Sequence, residues 1–228
     1  MKLTTFRLLL GHEKLSPADV PRLRGYFANE FPHFIELHHH INDDKFLYSY
    51  PVVQYKTIGN VPTIIGIGSG VDILKKIYDN INQLKIANQI IPITEKQMIQ
   101  SDNDFGLAND LQFYQFLTPW LGLNQNNYHQ YQHANLIEKM ELLQRILVGN
   151  LLSMSKAFQY TVPDRIYVAA DTRLRLTHLK GTELSGFLGY FATNFNIPDY
   201  LGIGKSVSRG FGTIKKITLD ELAKKMKY

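Results

Sequence analysis

The order of strand-like and helix-like segments is the feature of this sequence that most constrains its fold. Leu3 to Leu10 is a strand-like apolar run, and Ser16-Pro17 is typical of the start of an amphipathic helix. The segments that follow are FIELHHHI, FLYSYPVVQYKTI, PTIIGIGSG, a helix from Val71 to about Ile81, and LKIANQIIPI. This β-α-β-β-(β)-α-β order predicts a ferredoxin-like domain, in which one sheet carries two helices on one of its faces.

The second half of the chain roughly repeats that plan after a polar interruption, TEKQMIQSDNDFGLAND. We place the domain boundary there, so that one domain spans residues 1–100 and the other residues 105–228. Beyond it, LQFYQFLTPWLGL, RIYVAADTRLRLTHL and SGFLGYFATNF are strand-like, and a short basic helix follows. A long helix is predicted from about Ala134 to Tyr160, because apolar residues recur at steps of three and four: Leu136, Met140, Leu143, Leu147, Leu151, Met154 and Phe158. The predicted fold class is α+β, with two tandem ferredoxin-like (RRM-like) domains.

Composition limits the chemistry available to the chain. It has no cysteine, which excludes disulfides, thiolate nucleophiles and cysteine-ligated zinc. Its formal net charge of +5 permits a polyanionic partner without requiring one. No run approaches the roughly 18 apolar residues of a membrane-spanning helix, and no secretion signal is evident. We therefore expect a cytoplasmic protein with no membrane partner.

A glycine-rich, basic stretch, GIGKSVSRGFGTIKK, lies near the C-terminus. A P-loop is disfavoured, because Asp199 stands where the first glycine of that motif belongs. RGFGTI matches four positions of an RNA-recognition-motif strand, and glycines beside Lys205 and Arg209 would suit anion binding. A glycine-rich hairpin or bulge at a sheet edge explains the residues equally well. GIGSG, at Gly66 to Gly70, lacks the third glycine of a dinucleotide fingerprint and predicts a tight strand–helix turn.

Three consecutive histidines, His38 to His40, are the candidate catalytic groups. On a strand, His38 and His40 would point to one face and His39 to the other. Three interpretations stay open: the histidines bind a metal as a pair, act as a general base and a general acid, or are plain surface residues. No further ligand has obvious metal-site spacing. An acid–base pair would suit RNA cleavage, because one imidazole takes the 2′-OH proton while an imidazolium protonates the departing 5′-oxygen. Lys45 would stabilise phosphorane charge or is simply a turn lysine.

Three motifs together resemble the CRISPR-associated repeat-RNA endoribonucleases of the Cas6 family, within the RAMP superfamily. They are YPVVQYK after the histidines, FLTPWL at the start of the second half, and TNFNIPDYLGIGKSVSRGFGTI with its G-x-G-K-x-x-x-x-G-F-G core. The resemblance implies two side-by-side ferredoxin-like domains and metal-independent cleavage that leaves a 2′,3′-cyclic phosphate and a 5′-hydroxyl. It implies no cofactor and no metal.

The resemblance also implies the site residues. His38 and His40 are the predicted catalytic pair, Tyr26, His39 and Lys45 the predicted support, and His12 an outside candidate. The predicted RNA-binding residues are Gly202, Gly204, Lys205, Ser206, Ser208, Arg209, Gly210 and Gly212. Tyr48, Tyr50 and Tyr55 would stack on bases or else pack within the sheet.

The predicted partner is CRISPR repeat RNA, the precursor guide transcript. Other CRISPR effector subunits and a second copy of the chain are considered as further partners. Two alternatives stay open: a non-catalytic RNA-binding subunit of a CRISPR ribonucleoprotein, and a metal-dependent nuclease that uses the histidines as ligands.

Overall fold

The chain folds into two units, and each is built on a four-stranded sheet. The computed structural model describes residues 1–11, 14–37, 40–42, 45–46, 50–179 and 181–225, with the backbone alone at 40–42 and 45–46. The N-terminal unit contains Lys2–Asn103 together with Val207–Gly210. The C-terminal unit contains Met1, Asp104–Ser206 and the residues from Phe211 onward. No helix in the described part of the chain is long and apolar enough to cross a membrane.

The N-terminal unit is built on a four-stranded sheet with the order β4-β5-β1-β8, and β5 runs antiparallel to both β4 and β1. Two short hairpins, β2–β3 and β6–β7, accompany it. The strands are β1 (Lys2–Leu10), β2 (His40–Asn42), β3 (Lys45–Phe46), β4 (Val53–Ile58), β5 (Val61–Ile67), β6 (Gln83–Ile86), β7 (Gln89–Pro92) and β8 (Lys96–Asp104). The helices are α1 (Val20–Glu30) and α2 (Ser69–Ile77).

Both helices bury apolar side chains against this sheet. Leu23 and Phe27 of α1 and Leu74 of α2 share one core with Leu8 and Ile64 of the strands. The predicted tight turn before α2 is confirmed. Gly68, with φ of 54°, precedes the helix, and a Cβ on Gly66 would come within 2.5 Å of the Gly70 carbonyl oxygen.

The C-terminal unit repeats the strand order. Its sheet is β10-β11-β9-β12, and β9 pairs antiparallel with both β11 and β12. The strands are β9 (Gly106–Phe116), β10 (Val168–Leu179), β11 (Thr182–Asn196) and β12 (Ile214–Ile217), and the helices are α3 (Gln125–His133), α4 (Leu136–Ala157) and α5 (Leu219–Lys225). In both units the first strand lies between the third and the fourth, as in ferredoxin-like domains. The predicted pair of ferredoxin-like domains is confirmed.

The second helix of the ferredoxin-like plan is absent from the C-terminal unit, whose residues between β11 and β12 are all described. The glycine-rich stretch takes its place in the chain and contains one 3-10 turn, Val207–Arg209. The C-terminal unit keeps helices between its first and second strands, namely α3 and α4. Helix α4 begins at a capping box in which Asn135 and Glu138 bond each other's backbone amides, and it buries Leu143, Leu147 and Leu151.

Two sequence-based expectations about local structure are wrong. FIELHHHI is not one strand, because Ile35–Leu37 forms a 3-10 turn closed by the Leu37 amide on the Phe34 carbonyl at 3.0 Å. The polar stretch after residue 93 is mostly two strands, β8 and the start of β9. Polar bonds hold β8 to β1: Thr4 Oγ1 donates to Asp102 Oδ1 at 2.6 Å.

The apolar stripe predicted for α4 is partly wrong at its N-terminal end. Leu143, Leu147 and Leu151 are buried, but Leu136 is 75% exposed and Met140 is 46% exposed. Sequence reasoning also missed α3, whose polar composition gives no apolar stripe.

Candidate nucleic-acid interface

His40, the last residue of the histidine run, begins the β2–β3 hairpin of the N-terminal unit. His40 pairs with Phe46, and Asn42 pairs with Lys45, across β2 and β3. His12, His38, His39 and Tyr48 lie outside the described residues, as do the side chains of His40 and Lys45. The catalytic assignment of His38 and His40, with His39 and Lys45 in support, therefore stays a prediction.

Tyr26, the other predicted supporting residue, is held by the N-terminal unit. Its hydroxyl donates to the Gln83 carbonyl oxygen at 2.8 Å, and its ring stands edge-on to Phe27 with 5.3 Å between centroids. Burial, and then the charge of Glu30, raise the pKa of Tyr26. The phenol is therefore neutral near pH 7, and its proton is already donated to the Gln83 carbonyl oxygen.

Three glycines of the glycine-rich stretch are required by close packing inside the protein. Gly204, Gly210 and Gly212 all have positive φ, at 91°, 89° and 62°. A Cβ on Gly204 would lie 2.6 Å from Trp120 Nε1, and one on Gly212 would collide with the Ile203 carbonyl oxygen. A side chain at Gly204 or Gly212 would thus be both strained and obstructed, and one at Gly210 would be strained.

The stretch is hydrogen-bonded to the segment that carries FLTPWL, which was the second motif behind the family resemblance. The amide of Lys205 donates to the Leu121 carbonyl at 3.0 Å, and that of Gly212 to the Pro119 carbonyl at 2.9 Å. Trp120, which lies between Pro119 and Leu121 in the chain, is fully buried. The amides of Lys205 and Gly212 are therefore already bonded within the protein. Contacts from this stretch to RNA phosphates must come from its other groups.

The side chains of the stretch are stronger candidates for RNA contact than these backbone amides. Lys205 is exposed and its Nζ donates to the Leu123 carbonyl at 3.0 Å. Ser206, Ser208 and Arg209 are half-buried. Burial lowers the pKa of both Lys205 and Arg209. Their role as RNA-binding residues, like that of Gly202, stays a prediction.

Lys56 is a buried cation that sequence reasoning missed. It lies on β4, is 1% exposed, and its Nζ donates to the Val207 carbonyl oxygen at 3.4 Å. Burial lowers its pKa to about 7. The adjacent Tyr55 is fully buried and donates to the Leu37 carbonyl at 3.2 Å. Of the two roles considered for Tyr55, sheet packing is therefore correct and base stacking is not.

Arg24 adds a second cation where α1 meets the 3-10 turn of the glycine-rich stretch. Burial, and then the like charge of Arg209, lower the pKa of Arg24. Gly210 packs against Val20 of the same helix, since a Cβ on it would lie 3.1 Å from Val20 Cγ1. The N-terminal unit thus brings the half-buried guanidinium groups of Arg24 and Arg209 to one turn of backbone, to which the buried Lys56 also bonds. The two guanidinium groups suit an anionic ligand.

Metal ligation was the other use considered for the histidines. Among the residues that the structure describes, no three His, Asp or Glu side chains come close enough to hold a metal ion. That statement does not cover the histidine run, whose side chains lie outside the described residues.

Two ferredoxin-like units, with a basic glycine-rich stretch in place of the second helix of the C-terminal unit, agree with the class of CRISPR-associated proteins that the motifs resemble. Residues 1–104 match the family model for the Cas6b N-terminal domain, and residues 106–217 match that for the Cas6b C-terminal domain. The chain belongs to the Cas6b family. The resemblance inferred from the motifs is therefore confirmed.

Individual relatives agree with this membership. The chain is similar to a solved structure described as Cas6b, with 38% identity, a TM-score of 0.91, and coverage of 95% of this chain and 100% of the other. It is also similar to a solved structure of a CRISPR RNA processing endoribonuclease Cas6b, with 35% identity, a TM-score of 0.78 and the same coverage. An uncharacterized protein of Methanocaldococcus jannaschii is 38% identical over 143 residues, which are 62% of this chain and 97% of that protein.

Proposed function

We propose that this chain is an endoribonuclease that cleaves CRISPR repeat RNA. The observation that carries the proposal is the match to both Cas6b domains over residues 1–104 and 106–217. A protein of the same family, 35% identical over 95% of this chain, is a CRISPR RNA processing endoribonuclease.

The proposed chemistry is general acid–base attack by the ribose 2′-OH. One imidazole of the His38 and His40 pair removes the 2′-OH proton, and O2′ forms a bond to the neighbouring phosphorus. The other, as an imidazolium, donates its proton to the 5′-oxygen as the P–O5′ bond breaks. The products are a 2′,3′-cyclic phosphate and a 5′-hydroxyl, and no metal ion takes part.

The proposed RNA contacts are cationic and hydroxyl side chains of the glycine-rich stretch: Lys205, Ser206, Ser208 and Arg209. Arg24 and Lys56 enclose the 3-10 turn that carries Ser208 and Arg209. The glycines Gly202, Gly204, Gly210 and Gly212 shape the backbone that carries these side chains.

Incubation of the protein with repeat RNA in EDTA tests the activity. We expect one cut per repeat, with a 2′,3′-cyclic phosphate on the upstream product. His38→Ala and His40→Ala should each lower the single-turnover rate at least about tenfold while RNA binding persists, because each imidazole supplies an acid or base. His33→Ala is the matched control, since His33 is exposed and has no proposed role. It should cleave at the wild-type rate.

Two outcomes would replace this proposal. Activity lost in EDTA and restored by a divalent ion would indicate a metal-dependent nuclease. Salt-sensitive binding without cleavage of any repeat RNA would instead indicate a non-catalytic RNA-binding subunit.

A further inference from the structure

The C-terminal unit contains a cavity of about 460 Å³ beside the glycine-rich stretch. Its volume falls within the roughly 300–1,000 Å³ of ordinary ligand pockets. Leu121 and Leu184 give it apolar walls, and Tyr128 of α3 lines it with a ring that is 41% exposed. Lys205 and Ser206 line it from the glycine-rich stretch. The cavity thus combines an aromatic surface with a cation.

Tyr128 makes two hydrogen bonds within the C-terminal unit. Its hydroxyl accepts a hydrogen bond from Gln132 Nε2 at 3.0 Å, and its amide donates to the Asn124 carbonyl at 2.8 Å. Exposed aromatic rings such as that of Tyr128 are the surfaces on which unpaired bases stack in RNA-binding proteins.

The polar lining of the cavity is asymmetric. Lys205 contributes a cation, whereas Glu183 at the start of β11 contributes a carboxylate. Glu183 Oε2 also lies 4.0 Å from His178 Nε2, in an exposed pair. A phosphate is attracted by Lys205 and repelled by Glu183. A carboxylate accepts hydrogen bonds from exocyclic amino groups such as cytosine N4, but meets only an oxygen acceptor at uracil O4.

We propose that this cavity binds one unpaired nucleotide of RNA, with the base stacked on Tyr128, an amino-bearing base edge at Glu183 and the phosphate at Lys205. The proposal rests on the proposed function, because it takes RNA as the ligand of this protein. It adds a specificity that the family membership does not supply, which is preference for an amino-bearing base over uracil.

Short homo-oligonucleotides of cytidine and of uridine, equal in length, test the site by fluorescence anisotropy on the full chain. We expect cytidine to bind more tightly, and Glu183→Gln to reduce the difference. Tyr128→Leu should weaken cytidine binding at least about fivefold, since loss of one base–aromatic stack costs about 1–3 kcal/mol. Lys205→Gln should reduce the slope of log affinity against log salt by about one.

Tyr167→Leu is the matched control. Tyr167 belongs to the same unit, is 57% exposed, and lines a different cavity with Arg145 and Arg165. Thermal unfolding should show both tyrosine variants folded like the wild type. Photocrosslinking of a 5-iodocytidine oligonucleotide should attach it to the peptide that contains Tyr128.

Equal losses in Tyr128→Leu and Tyr167→Leu, equal binding of the two homo-oligonucleotides, or crosslinks confined to other peptides would overturn the site. A protein that cuts repeat RNA yet fails these tests keeps its proposed activity and loses this pocket. A protein that passes them but cuts no repeat RNA loses the activity and keeps the pocket.

Discussion

Lys56 shows how strongly burial can change one residue. Its ammonium would be fully hydrated in the unfolded chain, whereas in the folded protein it is 1% exposed with Nζ bonded to the Val207 carbonyl. Burial disfavours the charged form and lowers the pKa of Lys56 to about 7. Near neutral pH the residue therefore exchanges between an amine and an ammonium inside the N-terminal unit.

This pKa predicts that the free energy of unfolding rises with pH between about 7 and 9.5. The unfolded chain keeps its Lys56 proton up to its ordinary pKa of 10.5, while the folded chain releases it near 7. The unfolded state therefore binds more protons in this window, and stability rises by at most about 1.4 kcal/mol per pH unit. Urea unfolding at several pH values measures the slope.

Lys56→Met should flatten that slope, whereas the exposed Lys76→Met should keep it. An unchanged slope in Lys56→Met would show that Lys56 is not its source. The measurements stay below pH 10, because burial raises the pKa of Tyr55 and Tyr114 and their titration opposes the trend above that value.

Among the structural elements, the glycine-rich stretch combines two requirements. Its glycines permit close approach to Trp120 and Ile203 within the protein, while its polar side chains are the proposed contacts for RNA. The amides of Lys205, Gly210 and Gly212 already bond to backbone carbonyls within their own units. Backbone held in this way is preorganised for the proposed RNA contacts.

Gly212→Ala tests that shape. The new Cβ would collide with the Ile203 carbonyl and force φ of 62° on alanine, so we expect a loss beyond about 3 kcal/mol. Gly59→Ala is the matched control, with φ of 58° and nothing within 4 Å of the new Cβ. It should lose only about 1–2 kcal/mol. Urea unfolding measures both, and similar losses would mean that the collision contributes little.

The same elements show how far the sequence predicts the fold. Strands β1, β5 and β11 and the buried part of α4 follow from apolar patterns, because those patterns reflect burial directly. Strand β8 does not, since Thr4 and Thr5 on β1 bond Asp102 and Asn103, and polar pairs at a sheet edge leave no apolar alternation.

The candidate site was predictable only where motifs cluster in the chain. The glycine-rich stretch stands out by composition. Lys56 and Arg24 do not, because their relation to Arg209 depends on residues about 150 or more positions apart coming together. Tyr128 also gave no signal, since it sits in a polar helix without periodic apolar residues.

For the whole molecule, each unit includes residues from a distant part of the chain. Val207–Gly210 belongs to the N-terminal unit, and Met1 belongs to the C-terminal unit. Met1 and Phe105 exchange two backbone bonds, the amine donating at 2.8 Å and the Phe105 amide at 2.9 Å. The two units are consequently not independent segments that could be separated by one cut.

A fragment that ends at residue 104 should therefore protect β4 less well than the full chain does. It lacks Val207, the hydrogen-bond partner of Lys56, and Gly210, which packs on Val20. Hydrogen exchange read by mass spectrometry should show faster exchange in β4 peptides. A chain that lacks only residues from 219 onward keeps both partners and serves as the control. Equal β4 protection in the fragment and the full chain would contradict this prediction.

Membership of Val207–Gly210 in the N-terminal unit has a consequence for biosynthesis. The ribosome makes β4 about 150 residues, and α1 about 180 residues, before it makes this tetrapeptide. Throughout that interval Lys56 lacks its partner Val207 and Val20 lacks its partner Gly210, so the N-terminal unit is incomplete. Completion of the N-terminal unit is thereby coupled to translation of Val207–Gly210, so a product terminated before this tetrapeptide carries an unfinished first half.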